Sequence, residues 1–143
     1  MLIKQISIFV ENKPGRLSGI TNLLKDNDID IRALSVADTK DFGILRLIVN
    51  KPDLACEALK AADFTVSITN VVAIGIDDKP GGLAKAMDSL YEANISVEYM
   101  YAFISKSENQ AYVILRVENN DNAVEALKEK GYTLLSPNEV YDM

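Results

Sequence analysis

The chain has 143 residues, 48% of them hydrophobic and 25% charged, with 15 basic against 21 acidic side chains and a net charge of -6. That is the composition of a globular protein with one domain or two small ones, and its acidic balance argues against a surface that tracks nucleic-acid phosphates. With no His and a lone Cys56, the commonest general base, the commonest metal ligand, Ser-His and Cys-His pairs and any disulfide within the chain are all missing.

The elements can be taken in chain order. Ile6, Ile8 and Val10 recur every second residue, a strand signal. Pro14-Gly15 breaks that pattern, and Leu17, Ile20 and Leu24 follow at helical spacing. Ile29 to Ala37 reads as a second strand, and Asp38 to Asp41 as a turn. Phe42 to Val49 reads as a third strand that completes a hairpin. Pro52 or Asp53 opens a helix with Leu54, Ala55, Ala58, Leu59 and Ala62 on one face, and Phe64 to Ile68 forms a fourth strand.

The same order then returns. IFVENKPGRL, starting at Ile8, reappears 66 residues later as IGIDDKPGGL, starting at Ile74. Ile29-Asp30-Ile31 falls on Ile95-Ser96-Val97, Arg46 on Arg116, and the helix from Cys56 to Lys60 on that from Val124 to Lys128. The second copy runs through a strand at 71–76, a helix at 83–91, strands at 95–104 and 110–117, a helix at 122–130 and a strand at 132–135. The expected fold class is α+β, with two ferredoxin-like βαββαβ domains at 1–69 and 70–143 packed side by side. Their sheets are expected edge to edge with the helices on one face, leaving an open sheet face as a candidate homodimer interface.

The turn between first strand and first helix is the strongest local signal. Pro fixes φ and Gly tolerates a tight bend, a purely structural role. The turn also brings the free N–H groups of a helix N-terminus to the strand end, where they favour a carboxylate. A donor-rich turn without a catalytic base suits binding of a small acid, not its transformation. No enzyme activity is therefore expected: no nucleophile–base pair supports the rival reading of a small enzyme.

The motif ENKPGRL at 11–17 followed by DIDIRALSV at 28–36, and DDKPGGL at 77–83 followed by NISVEYMYA at 94–102, resemble a pair of ACT domains. The resemblance spans essentially the whole chain. It implies ferredoxin-like modules that bind a free amino acid or other small ligand at the seam between two domains, as a regulatory or sensing device. Carried over, one site would use Asn12, Lys13, Pro14, Gly15, Arg16 and Leu17 with Ser96 and Val97. The other would use Asp78, Lys79, Pro80, Gly81, Gly82 and Leu83 with Asp30 and Ile31. Asn12 would hydrogen-bond the ligand's α-groups, and the N–H groups near Gly15 to Leu17 would hold its carboxylate. The resemblance also implies a metabolic enzyme as partner. The alternative is a regulatory small subunit of an amino-acid biosynthetic enzyme such as acetolactate synthase.

Asp77, Asp78 and Asp30 make the second site the more acidic, and like charges ~4 Å apart cost about 1 kcal/mol even in water. The Asn12 site is therefore expected to be the better amino-acid site. The Asp78 site is left empty, structural, or suited to a ligand whose cationic group offsets the carboxylates. Cys56 aligns with Val124 and is expected in the core. Arg46 and Arg116 are expected to line a solvated or interfacial sheet face. Asp26, Asp28 and Asp30 lack the Gly and terminal Glu of a calcium loop, so neither metal nor cofactor is expected. The stripe of Tyr99, Tyr101 and Phe103 beside Tyr112 is expected in a core or a subunit interface, not as a base-stacking platform. No apolar run reaches the roughly 18 residues of a membrane span and no signal peptide is evident, so a cytoplasmic location without membrane contact is expected.

Overall fold

The computed structural model describes residues 2–38, 41–104 and 109–143. Thr39 and Lys40 of the turn expected at 38–41, and residues 105–108 of the second hairpin, fall outside these residues.

Alternation builds β1 (Ile3–Glu11), in which Ile6, Ile8 and Val10 turn to one side and are buried. Helix α1 (Arg16–Asp26) covers them with Ile20 and Leu24. Strands β2 (Ile31–Asp38) and β3 (Phe42–Val49), helix α2 (Pro52–Ala61) and β4 (Thr65–Asp77) complete the first half. The second half continues with α3 (Gly82–Glu92), β5 (Val97–Ala102), β6 (Gln110–Val117), α4 (Asn120–Glu129) and β7 (Thr133–Leu134). A short α5 (Pro137–Tyr141) ends the chain. Asp28, Asp63, Asn94 and Gly131 follow α1, α2, α3 and α4 with φ of 56°, 67°, 58° and 83°. That left-handed residue is the usual helix stop, and Asp and Asn tolerate it better than other side chains.

The junction between the halves is not a linker. Two strands expected at 64–68 and 71–76 are one 13-residue strand, β4. Val66, Ile68, Val72, Ile74 and Ile76 keep a single period of two across Thr69-Asn70, and no Gly or Pro stands at that junction to break it. Its first part pairs antiparallel with β1, from Phe9–Thr65 to Ile3–Val71. Its second part pairs with β6, from Val72–Leu115 to Asp77–Gln110, and with β7. The strand order is β2-β3-β1-β4-β6-β5, with β7 beside β4. The two ferredoxin-like units are thus joined side by side through a shared strand.

The expected open sheet face is largely closed, with Phe9 and Phe42 at one end of it still 54% exposed. The sheet curls until its two ends meet, at a bridge between Ala33 of β2 and Phe103 after β5, supported by Ile104 N–H donating to the Arg32 carbonyl at 3.0 Å. Each half keeps its own core between sheet and helices. A third core lies between the helix-free faces, built from Ile3, Ala33, Ile48, Val71, Ala73 and Ile114 with Leu135 and Val140. The aromatic stripe belongs to it: Tyr101, Phe103 and Tyr112 pack there, Phe103 and Tyr112 edge to face at 6.1 Å. Cys56 is buried, as expected.

The inner layer also holds a polar knot. Gln5 of β1 is 0% exposed. Its amide donates to the Tyr99 hydroxyl at 2.8 Å, and the Tyr101 hydroxyl donates to its carbonyl oxygen at 2.7 Å. The Arg46 guanidinium lies 3.7 Å from the centre of the Tyr99 ring, so it belongs to the contact between the halves. Burial pushes the Tyr101 phenol well above its ordinary range. Helix α5 adds a strap. Ser136 and Glu139 form a capping box, Val140 enters the third core, and Tyr141 reaches the first half. The Lys4 N–H donates to the Tyr141 hydroxyl at 3.2 Å, and the Arg32 guanidinium to its carbonyl at 2.9 Å.

Candidate ligand-binding turns

Both Pro-Gly turns share one backbone. Gly15 and Gly81 are the N-caps of α1 and α3, with φ of 87° and 89°. Lys13 and Lys79 N–H donate two residues back to Glu11 and Asp77, at 2.8 and 2.9 Å. Arg16 and Gly82 N–H donate to the carbonyls of Lys13 and Lys79. Neither helix has a side-chain cap or an acidic residue in its first turn. The next N–H groups, of Leu17 and Ser18 and of Leu83 and Ala84, thus stay available to an anion.

The side chains around the two turns differ. At the first, Asn12, Lys13, Arg16 and Leu17 line a cavity of about 70 Å³ closed by Val36 and Leu45. Glu11 occupies both cations there, 2.9 Å from Lys13 and 3.6 Å from Arg16. The Lys13 hydrogen bond, with the Lys13 and Arg16 charges, holds the Glu11 carboxyl below the usual range. The Asn12 side chain makes no hydrogen bond among the described residues, and its backbone N–H donates to Asp41 at 3.1 Å.

At the second turn, Lys79, Pro80, Gly81 and Gly82 line a larger cavity of about 290 Å³. Lys85 of α3, Lys130 at the end of α4 and Gln110 of β6 complete it, and Asp77 is its single carboxylate. Gly82 is required by space: an added Cβ would lie 2.0 Å from the Asp77 carbonyl oxygen. Asp78 is not part of the wall; its N–H donates to Asn109 at 3.0 Å. Leu83 is half exposed on the first turn of α3. The local charge is therefore positive, opposite to the acidic second site expected from sequence.

The strand starts lie elsewhere. Asp30 and Ile31 line a separate cavity of about 450 Å³ with Asp28 and Lys25. The Arg32 guanidinium holds Asp30 at 2.6 Å. Ser96 lines another, of about 230 Å³, with Glu98 and Glu118, and Val97 pairs with Val117. Neither strand start shares a cavity with the turn assigned to it. Asp26, Asp28 and Asp30 form no metal-ligand group, and there is none of three or more ligands among the described residues. Among those residues no helix is long and apolar enough to cross a membrane.

Sequence reading missed Val36, Leu45, Lys85, Gln110 and Lys130. The two lysines look like solvated helix positions, and only the fold brings them to one turn.

A family model described as an ACT domain pair matches residues 1–143. The chain is 44% identical to a Bacteroides thetaiotaomicron protein of known structure, with a TM-score of 0.94 over 100% of this chain and 98% of that one. It is also similar to the ligand-free regulatory subunit of aspartate kinase from Thermus thermophilus, at 17% identity and a TM-score of 0.65 over 91% of this chain and 94% of that one. The aspartate kinase regulatory subunit from Thermus flavus, at 16% identity, gives 0.61 over 88% and 90%. At those lower identities the likeness is one of fold. No protein of curated function matches in sequence.

Proposed function

The chain belongs to the ACT domain pair family, and from that premise we propose that it binds a free amino acid at its Pro-Gly turns as a regulatory or sensing module. The observation that carries the reading is the repeated turn. Two helices start at a left-handed glycine with the same hydrogen bonds and no side-chain cap. A carboxylate fits such an N-terminus, and no nucleophile–base pair accompanies it. The mechanism is linkage: the ligand favours whichever arrangement of the turns holds it best, and biases a partner only by that difference.

Ser96, Val97, Asp30 and Ile31 do not reach the turns within one chain. They complete the sites only across a contact between two copies, so a homodimer is part of the proposal. Its contact is made at the turns, since most of the helix-free sheet face is buried within the chain. Thermal-shift measurement against the twenty amino acids tests the reading. A ligand at about 100 times its Kd stabilises by ~2.7 kcal/mol, which is several degrees for a chain of this size. No shift with any of the twenty refutes it.

A second reading makes the chain the dedicated subunit of a separate metabolic enzyme. The Thermus thermophilus regulatory subunit supports it, since this chain spans 94% of that protein's length. Co-purification with a large catalytic partner distinguishes it from a free-standing sensor.

A further inference from the structure

We infer that the cavity at the second turn takes a dicarboxylic amino acid. The inference rests on the amino-acid-binding reading and names the ligand class of one of its sites. In a chain of net charge -6, this cavity has three lysines, Lys79, Lys85 and Lys130, against one carboxylate, Asp77. The lysines come from the turn, the first turn of α3 and the end of α4, so they surround the opening instead of running along one face. The α3 N-terminus adds its free N–H groups from the same side.

Their own ion pairs leave them available. Lys85 has no ion pair among the described residues. Lys79 meets Asp77 only at 3.9 Å. Lys130 holds Glu92 at 3.0 Å, but both side chains are more than half exposed, and such pairs are weak. Asp77 and Gln110 supply the acceptors an ammonium group needs. A volume of about 290 Å³ accommodates a metabolite of this size.

The internal repeat provides a control. Lys79 has its counterpart in Lys13, but Lys85 falls on Gly19 and Lys130 on Ala62. The last correspondence is structural as well, since Ala62 and Lys130 are the C-caps of α2 and α4. The first half thus keeps the turn and lacks two of the three cations. Its remaining Lys13 is engaged by Glu11 at 2.9 Å. A turn kept only for its bend would not need the added lysines.

Isothermal titration of the full chain tests this with L-aspartate and L-glutamate. Succinate and malate serve as dicarboxylates without the amino group, and L-leucine and L-lysine as neutral and basic amino acids. Lys85→Gln and Lys130→Gln are the variants, both at exposed positions where folding is not at risk. The expected result is binding of an acidic amino acid in preference to the others, weakened about tenfold by each substitution and weakened also by added salt. Equal or tighter binding of succinate or malate overturns the assignment to an amino acid. Acidic binding that both lysine variants retain in full overturns the site. Binding of leucine or lysine without the acidic ligands overturns this inference and leaves the amino-acid-binding reading intact. Failure of every amino acid to bind overturns both.

Discussion

Replacing Gln5 with Leu tests whether the two halves are locked through their inner faces. The side chain is fully buried, and its amide meets two tyrosine hydroxyls from β5, at 2.8 and 2.7 Å. Leucine has nearly the same size, so little cavity forms, but both hydroxyls lose their partner. An unsatisfied buried polar group costs about 1–3 kcal/mol. Gln5→Leu should therefore lower stability by about 2–4 kcal/mol, on the order of 10 °C in Tm. The assay is urea unfolding followed by circular dichroism, with one cooperative transition expected. A triple variant, Gln5→Leu with Tyr99→Phe and Tyr101→Phe, should recover most of the loss, since only the part-exposed Ser7 hydroxyl, which accepts from Gln5 at 3.3 Å, is then left without its partner. The Tyr99 ring would still lie beneath Arg46. A Gln5→Leu protein within about 0.5 kcal/mol of the parent, or a triple variant less stable than the single one, refutes the reasoning.

Three further expectations follow from the same geometry. Burial raises the Tyr101 phenol, so its neutral form is favoured in the folded state. That stability is fully present below the ordinary tyrosine value of about 10 and is lost as pH rises beyond it. Alkaline difference absorbance should show a component that appears only as the protein unfolds and that Tyr101→Phe removes, and an unchanged profile in that variant would be the contrary result. Gly82→Ala should melt lower than Gly81→Ala: a Cβ at 82 meets the Asp77 carbonyl, whereas at 81 only the positive φ is strained, which costs about 1–2 kcal/mol. Differential scanning calorimetry gives the order, and its reversal counts against the tight turn. A Gly-Ser-Gly-Ser insertion between Asn70 and Val71 separates halves that share β4 and displaces Val71 from Ile3. Burial of such aliphatic side chains is worth about 1.5–3 kcal/mol each, far more than lengthening a tether costs. An unchanged urea midpoint would mean that the junction is a linker.

The two halves were legible because binary patterning repeats with the same turn between the same elements. The Pro-Gly motif places both left-handed N-caps without further information, since Gly15 and Gly81 answer a local demand for positive φ. What was not legible depends on how the halves meet. Tyr99 and Tyr101 stand on an alternating strand whichever partner covers them, and nothing in the alternation says that Gln5 will be that partner. Asn70 resembles a boundary residue, yet the unbroken period through Val66, Ile68, Val72 and Ile74 was the better guide to β4. Ser136-Pro137-Asn138-Glu139 spells a capping box with Pro at the first helical position, so α5 was open to prediction and was missed. The charge around the second turn is hidden for a different reason. Asp77 and Asp78 sit beside the motif in the chain, while Lys85 and Lys130 reach it only through the packing of α3 and α4.

That packing also bears on how a ligand at the second turn would be felt elsewhere. Gly131, Tyr132 and Thr133 line the cavity, and Thr133 is already part of β7, paired with Gly75. Leu135 follows, its N–H bound to the Ala73 carbonyl at 2.9 Å, and then α5. Tyr141 at the end of α5 accepts from Lys4 N–H and from Arg32, both in the first half. Arg32 in turn holds Asp30, at the mouth of the cavity where β2 begins. One stretch of eleven residues, 131–141, thus runs from the cationic cavity of one half to the acidic strand start of the other. Contiguity alone transmits nothing; a ligand couples the ends only if it prefers one of two positions of that stretch. The stretch is held to the first half by these two hydrogen bonds and by packing of Leu135, Val140 and Tyr141 in the third core, a smaller attachment than the strand pairing that holds β4 to β1 and β6.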